Sequence, residues 1–231
     1  MSKKHPTSPD RHAPKVSDDD KFVAGVLEAS TWAKRNQQKV VIAGIALAVA
    51  AIAAWGVASS RANMMDDALV ELERVTGTAQ VGDPEQAKVE LTQFLDQFGG
   101  TPLAGEARLH LATLYLETNQ PGQALSTLNE SGIGARDILG PQVLTLKARA
   151  YEAQGEWQRA ADTYIELSDA AELEFQRRSA MEDAARVMAE MGQYAAAAEL
   201  YAELQSGLER SDPQLGIYQM REQEMRGMAR G

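Results

Sequence analysis

The chain has 231 residues with 33 Asp and Glu against 23 Lys and Arg, three His and no Cys, so it has no disulfide framework, thiol nucleophile or cysteine zinc cluster. The charge is unevenly spread: residues 1–39 hold eight basic and five acidic side chains, and residues 61–231 hold fifteen and twenty-eight. That acidic balance repels phosphate backbones and argues against nucleic acid as a partner.

Residues 1–20 carry three prolines and scattered charges with almost no large apolar side chain. Such a stretch cannot offset its ordering entropy, and it reads as a disordered polar tail. Over 21–38, Phe22, Val23, Val26, Leu27 and Trp32 recur near helical spacing, with Asp18 to Asp20 as N-terminal caps. This predicts a juxtamembrane amphipathic helix with Trp32 at headgroup level and Lys34, Arg35 and Lys39 facing lipid phosphates.

From Val40 to Ser60 no residue is charged, and the run sits between Lys39 and Arg61. As a helix it is roughly 30 Å long, the thickness of a bilayer's hydrocarbon core, which predicts a transmembrane helix over 39–61. The long, partly acidic leader argues against a cleaved signal peptide, although Gly56 and Ala58 form a small-x-small pattern that keeps cleavage as the second reading. Basic residues crowd the N-terminal flank, so the N-terminus is expected in the cytoplasm and the rest of the chain outside it. Ala46, Ala50, Ala54 and Ala58 fall four apart, as do Gly44 and Ala48, which either offers a contact face to another transmembrane helix or follows from an alanine-rich composition.

Residues 62–210 repeat. Units begin near Ala68, Gly105, Pro141 and Arg178, giving spans of 68–104, 105–140, 141–177 and 178–210. Position 15 is Gly82, Asn119, Gly155 and Gly192, residues that accept the left-handed backbone where one helix stops and the next begins. Position 20 is Ala87, Ala124, Ala160 and Ala197; position 24 is Leu91, Leu128, Tyr164 and Tyr201; position 8 is Ala112, Ala148 and Ala185 in the last three units. Each unit is thus a helical hairpin with small residues at the crossing and large ones beside it. Pro84 and Pro121 open second helices.

The first unit departs from the rest, with Glu71 and Arg74 at core positions, and its opening helix is expected to continue the transmembrane helix along a stripe of Ala62, Met65, Leu69 and Leu72. Residues 211–231 read as a capping helix and tail, starting at Pro213 with Leu215, Ile217, Tyr218 and Met225 turned inward. The fold class is therefore all-α: one N-terminal transmembrane helix followed by an α-solenoid.

The repeat resembles the tetratricopeptide repeat, most closely over Leu144, Ala148, Tyr151, Gly155, Trp157, Ala160 and Tyr164. The order of parts is similar to the YfgM-type ancillary subunit of the bacterial Sec translocon. That resemblance implies residence in the bacterial inner membrane with a periplasmic repeat domain. It also implies protein partners among translocon subunits, chaperones or exported clients. The alternative is a cell-envelope scaffold for division or outer-membrane assembly.

Arrays of this type bind through the concave face of their first helices, here at Glu106, Leu109, Thr113 and Leu116, then Gln142, Thr145, Arg149 and Glu152, then Ser179, Glu182, Arg186 and Ala189. The Lys and Asn of a terminal-carboxylate clamp are absent from positions 5 and 9. Arg149 and Arg186 stand one repeat apart; they are either free for acidic partner groups or compensated by Glu152 and Glu182. His110 is expected to be partly buried, and Trp157 with the tyrosines to belong to the core. With no phosphate loop, no Ser/His/Asp set and no paired metal ligands, the chain reads as a non-enzymatic binding protein without cofactor, metal or small-molecule substrate.

Overall fold

The computed structural model describes residues 30, 32–79 and 82–231. The polar tail over 1–20 and the part of the amphipathic helix before residue 30 lie outside the described residues. Past residue 36, nine helices and no strand follow among the described residues: α1 Gln37–Ala79, α2 Pro84–Phe98, α3 Ala104–Glu117, α4 Pro121–Asn129, α5 Gly140–Ala153, α6 Trp157–Ala170, α7 Glu174–Glu190, α8 Tyr194–Ser206 and α9 Pro213–Met228. The chain divides into two compact units at Arg61 and Ala62.

In the first unit, α1 leaves its large side chains uncovered, with Ile42 66%, Leu47 71% and Trp55 73% exposed. Among the described residues it is the one helix long and apolar enough to cross a membrane.

In the second unit the last turns of α1 bury Ala68, Leu72 and Val75 against Leu91, Phe94 and Phe98 of α2 and Leu111 of α3. The apolar stripe is therefore rotated from the one expected: Ala62 and Leu69 are exposed, because Ala68, Leu72 and Val75, three and four apart, form the face that α2 covers. Glu71 and Arg74 do not enter the core but pair with each other at 2.7 Å, and Arg74 reaches Glu90 of α2 at 3.1 Å. Filling this layer with Leu91 and Phe94, 0% and 2% exposed, stabilises it by roughly 1.5–3 kcal/mol per side chain.

Three of the four hairpins turn in the same way. Asn119, Gly155 and Gly192 have φ of 56°, 73° and 75°. The next amide in each, at Gln120, Glu156 and Gln193, donates five residues back to Tyr115, Tyr151 and Met188, while Asn119, Gly155 and Gly192 donate three back to Leu116, Glu152 and Ala189. This pair of bonds is the Schellman closure, which satisfies carbonyls the helix leaves open. Gly82 departs from the pattern of the other three: its amide donates four residues back to Thr78 O at 2.9 Å, and a Cβ there would meet that same oxygen at 2.8 Å. Asp83 then caps α2, its Oδ1 accepting from the Glu85 amide at 3.0 Å, and Pro84 takes the first helical position.

The alanines at positions 8 and 20 are at most 4% exposed. The core passes from unit to unit through shared side chains, Tyr115 packing on both the first two clusters and Leu200 on the last three. Helix α4 is only nine residues long and ends in a loop to Leu139, where Ser131 Oγ donates to Leu128 O at 2.7 Å and Gly132 has φ 66°. The cap α9 starts at Pro213 and buries Tyr218 and Met225, but Ile217 is 52% exposed, at the edge of that face. Trp157 opens α6 and is 38% exposed rather than core, lying three residues before the fully buried Ala160; His110 is likewise exposed.

Candidate functional site

The first helices α3, α5 and α7 bring most of the predicted concave positions onto one surface, which carries two open depressions. One, of about 570 Å³, is lined by Leu109, Thr113, Thr145 and Ser179 of the predicted set and by Leu146, Leu167 and Phe175, which sequence reading did not place there. The other, of about 620 Å³, is lined by Glu182, Arg186 and Ala189 of the predicted set with Tyr194, Tyr201 and, from α9, Ile217 and Met228. Asp183 borders both.

The threonines do not offer free hydroxyls to this surface. Thr113 Oγ1 donates to Leu109 O at 2.9 Å and Thr145 Oγ1 to Pro141 O at 2.8 Å, back-bonds within their own helices. Leu109 and Leu116 are partly buried against the main core, and Leu116, Arg149 and Glu152 line neither depression.

A polar strut crosses from α5 to α7. Arg186 donates to both oxygens of Glu152, at 2.7 and 2.9 Å, and to Asp183 at 3.2 Å. Tyr164 Oη donates to the same Glu152 at 2.7 Å. Burial pushes the Glu152 carboxyl up, but the bonds from Arg186 and Tyr164 outweigh it and hold the group below the usual carboxylate range. Burial and that same acceptor push the Tyr164 phenol up. Arg186 is thus compensated, by Glu152 and Asp183; Glu182 instead accepts from the Tyr218 hydroxyl of the cap. Arg149 is exposed and makes no ion pair among the described residues.

On α1 the small residues Gly44, Ala46, Ala48, Ala50, Ala54 and Ala58 are all exposed. Among the described residues no group of three or more His, Asp or Glu is placed to hold a metal ion.

Three features were not legible as site components. Phe175 sits before the predicted start of the fourth unit, because α7 begins at Glu174, a full turn early; the apolar Leu173 and Phe175 flanking that start were the available signal. Asp183 falls between repeat positions. Lys88 stands where later units have Leu125, Ala161 and Ala198, and is 5% exposed with its Nζ held by Glu85 at 2.6 Å, Thr118 at 3.1 Å and Gln120 at 3.4 Å.

Residues 78–150 match the tetratricopeptide repeat family. Two solved structures of nearly identical TPR-like repeats from a Podosopora anserina protein described as a kinesin light chain are similar in fold. The first is 19% identical with a TM-score of 0.54, covering 70% of this chain and 92% of the other. The second, a single-substitution form of that same protein, is 19% identical with a TM-score of 0.55, covering 69% and 84%. No curated protein matches the chain significantly. The repeat domain is a tetratricopeptide-like helical solenoid, the architecture of a protein-binding scaffold.

Proposed function

For a chain built of tetratricopeptide repeats, we propose a membrane-anchored adaptor that crosses the bacterial inner membrane once through residues 39–61 and displays its repeat domain on the periplasmic side. Its partners there are translocon subunits, chaperones or exported clients of the Sec channel. It is not an enzyme and needs no cofactor.

The observation that carries this reading is the uncovered apolar helix. Ile42, Ile45, Leu47, Val49, Ile52 and Trp55 are each at least 60% exposed. In water they forgo on the order of 10 kcal/mol of burial, which lipid supplies. The basic flank at Lys34, Arg35 and Lys39 supports the orientation. The concave surface supports protein binding, since it is wide, open and half apolar, with Leu109, Glu182 and Arg186 among the residues that a partner meets.

Photo-crosslinking in intact cells tests the reading. A crosslinking residue replaces Arg149, whose exposed side chain carries no ion pair that the fold relies on. Capture of translocon subunits or periplasmic chaperones is expected; capture of division or outer-membrane assembly proteins overturns the Sec assignment in favour of an envelope scaffold.

A further inference from the structure

The two depressions differ in chemistry. The one between α3, α5 and α7 has an apolar floor of Leu109, Leu146 and Leu167, and Phe175 at its edge is 63% exposed. An aromatic ring left this open beside an apolar hollow is a contact waiting for a partner side chain. The volume of about 570 Å³ lies within the range of sites that enclose a bulky group.

The charge around it has one sign. Its carboxylates are Glu106, 3.8 Å from His110, and Asp183, which pairs with Arg186 at 3.2 Å, and no Lys or Arg lines it. The adjoining depression holds Glu182, Asp183 and Glu190 against Arg186 and Arg221. Both arginines are already engaged, Arg186 by Glu152 and Asp183 and Arg221 by Glu224 at 3.0 Å. What reaches a partner is the negative field of an acidic domain. An anionic segment is repelled, and a second copy of this domain brings like charge.

We infer that the hollow edged by Phe175 takes a Leu or Phe side chain from a partner segment flanked by Lys or Arg. This rests on the adaptor reading and names the chemistry of the partner at that surface. The aliphatic floor and the Phe175 ring supply the contact, and Glu106 with the surrounding negative field selects the cationic flanks.

The test uses the full chain in phosphatidylcholine nanodiscs, with empty nanodiscs as the reference. Three fluorescein-labelled octapeptides share the core LFLL between pairs of Lys, Ser or Glu, and binding is read by anisotropy at 50 and 500 mM NaCl. The Lys-flanked peptide is expected to bind about tenfold tighter than the Glu-flanked one at low salt, with the gap closing to about threefold at high salt. Phe175→Ser weakens all three peptides at both salts. Ser179→Lys, at an exposed position on the rim, weakens the Lys-flanked peptide and strengthens the Glu-flanked one without touching the core.

Equal binding of Lys- and Glu-flanked peptides, or no response to Ser179→Lys, overturns the inference. So does a change in sedimentation on Phe175→Ser, which would make the occupant a second copy. Crosslinked capture of translocon subunits without the peptide preference overturns the inference and leaves the adaptor reading standing; the preference without capture does the reverse.

Discussion

Replacing Gly155 isolates the cost of the left-handed turn that closes three of the four hairpins. Gly155 has φ 73°, and a Cβ built there meets nothing nearer than Trp157 Nε1 at 4.0 Å, so sterics with the rest of the protein add nothing. An Ala in this conformation costs about 1–2 kcal/mol, and the stiffer unfolded chain returns about 0.4–1 kcal/mol, for a net loss near 1 kcal/mol. Val, β-branched, loses about 2 kcal/mol. Asn loses at most about 0.5 kcal/mol, since it tolerates this region and occupies it natively at Asn119, φ 56°. Gly77→Ala is the control of opposite sign: it lies inside α1 with open space around its Cβ, and Ala gains about 0.8 kcal/mol of helix propensity there. Thermal melts of the full chain followed at 222 nm read these values, with about 2–4 °C per kcal/mol for a domain of this size. A loss for Asn equal to that for Val, or losses of equal sign and size for Gly155→Ala and Gly77→Ala, refutes the assignment of the cost to backbone handedness.

Lys88 is buried where later units have apolar side chains, so Lys88→Met, close in volume, should melt at or above the parent temperature, while Lys88→Ala leaves a cavity and loses about 2 kcal/mol. Glu152→Gln weakens the strut to Arg186 by about 1 kcal/mol at neutral pH, the arginine being half exposed; denaturant titrations read the change. The Glu152 carboxyl is held below its unfolded value near ~4.3, so its contribution is complete above that pH and is lost as pH falls through the folded value; Glu152→Gln should therefore flatten the acid limb of the stability curve. Tyr218, raised by burial and by Glu182, has the opposite sign: its contribution is complete below the free phenol value near ~10 and is lost as pH rises through the folded value. Tyr218→Phe should remove part of the alkaline loss in a pH series of melts. Ala160→Leu, at a position with no exposed surface, should overpack the α5 and α6 crossing and cost about 1–3 kcal/mol in denaturant unfolding.

The periodic features were legible because they answer to local rules. Left-handed turns need Gly or Asn, and Asn119, Gly155 and Gly192 took that role; close helix crossings need Ala, and the alanines at positions 8 and 20 are buried. Gly82 carries the same letter with a different bond, its amide donating i to i−4 to Thr78. What one repeat does to the next was harder to read. The strut of Glu152, Tyr164 and Arg186 joins side chains 12 and 34 positions apart, and choosing Glu152 and Asp183 over Glu182 for Arg186 depends on how α7 rotates against α5. Phe175 was missed because the repeat period set the start of α7 near Arg178, whereas the helix gains a turn at Glu174. His110 and Trp157 were misplaced for a shared reason: periodicity assigns a residue to a helix face, but whether a neighbouring helix reaches that height is a tertiary matter.

The adaptor account depends most on α1 residing in lipid with the repeats beyond it. Alkaline phosphatase fused after Gly231 measures this in living cells, with carbonate extraction of the same membranes. The account predicts active phosphatase on a full-length fusion that stays in the membrane pellet. An inactive fusion, or an active one released by carbonate with its N-terminus just after Ala58, contradicts it.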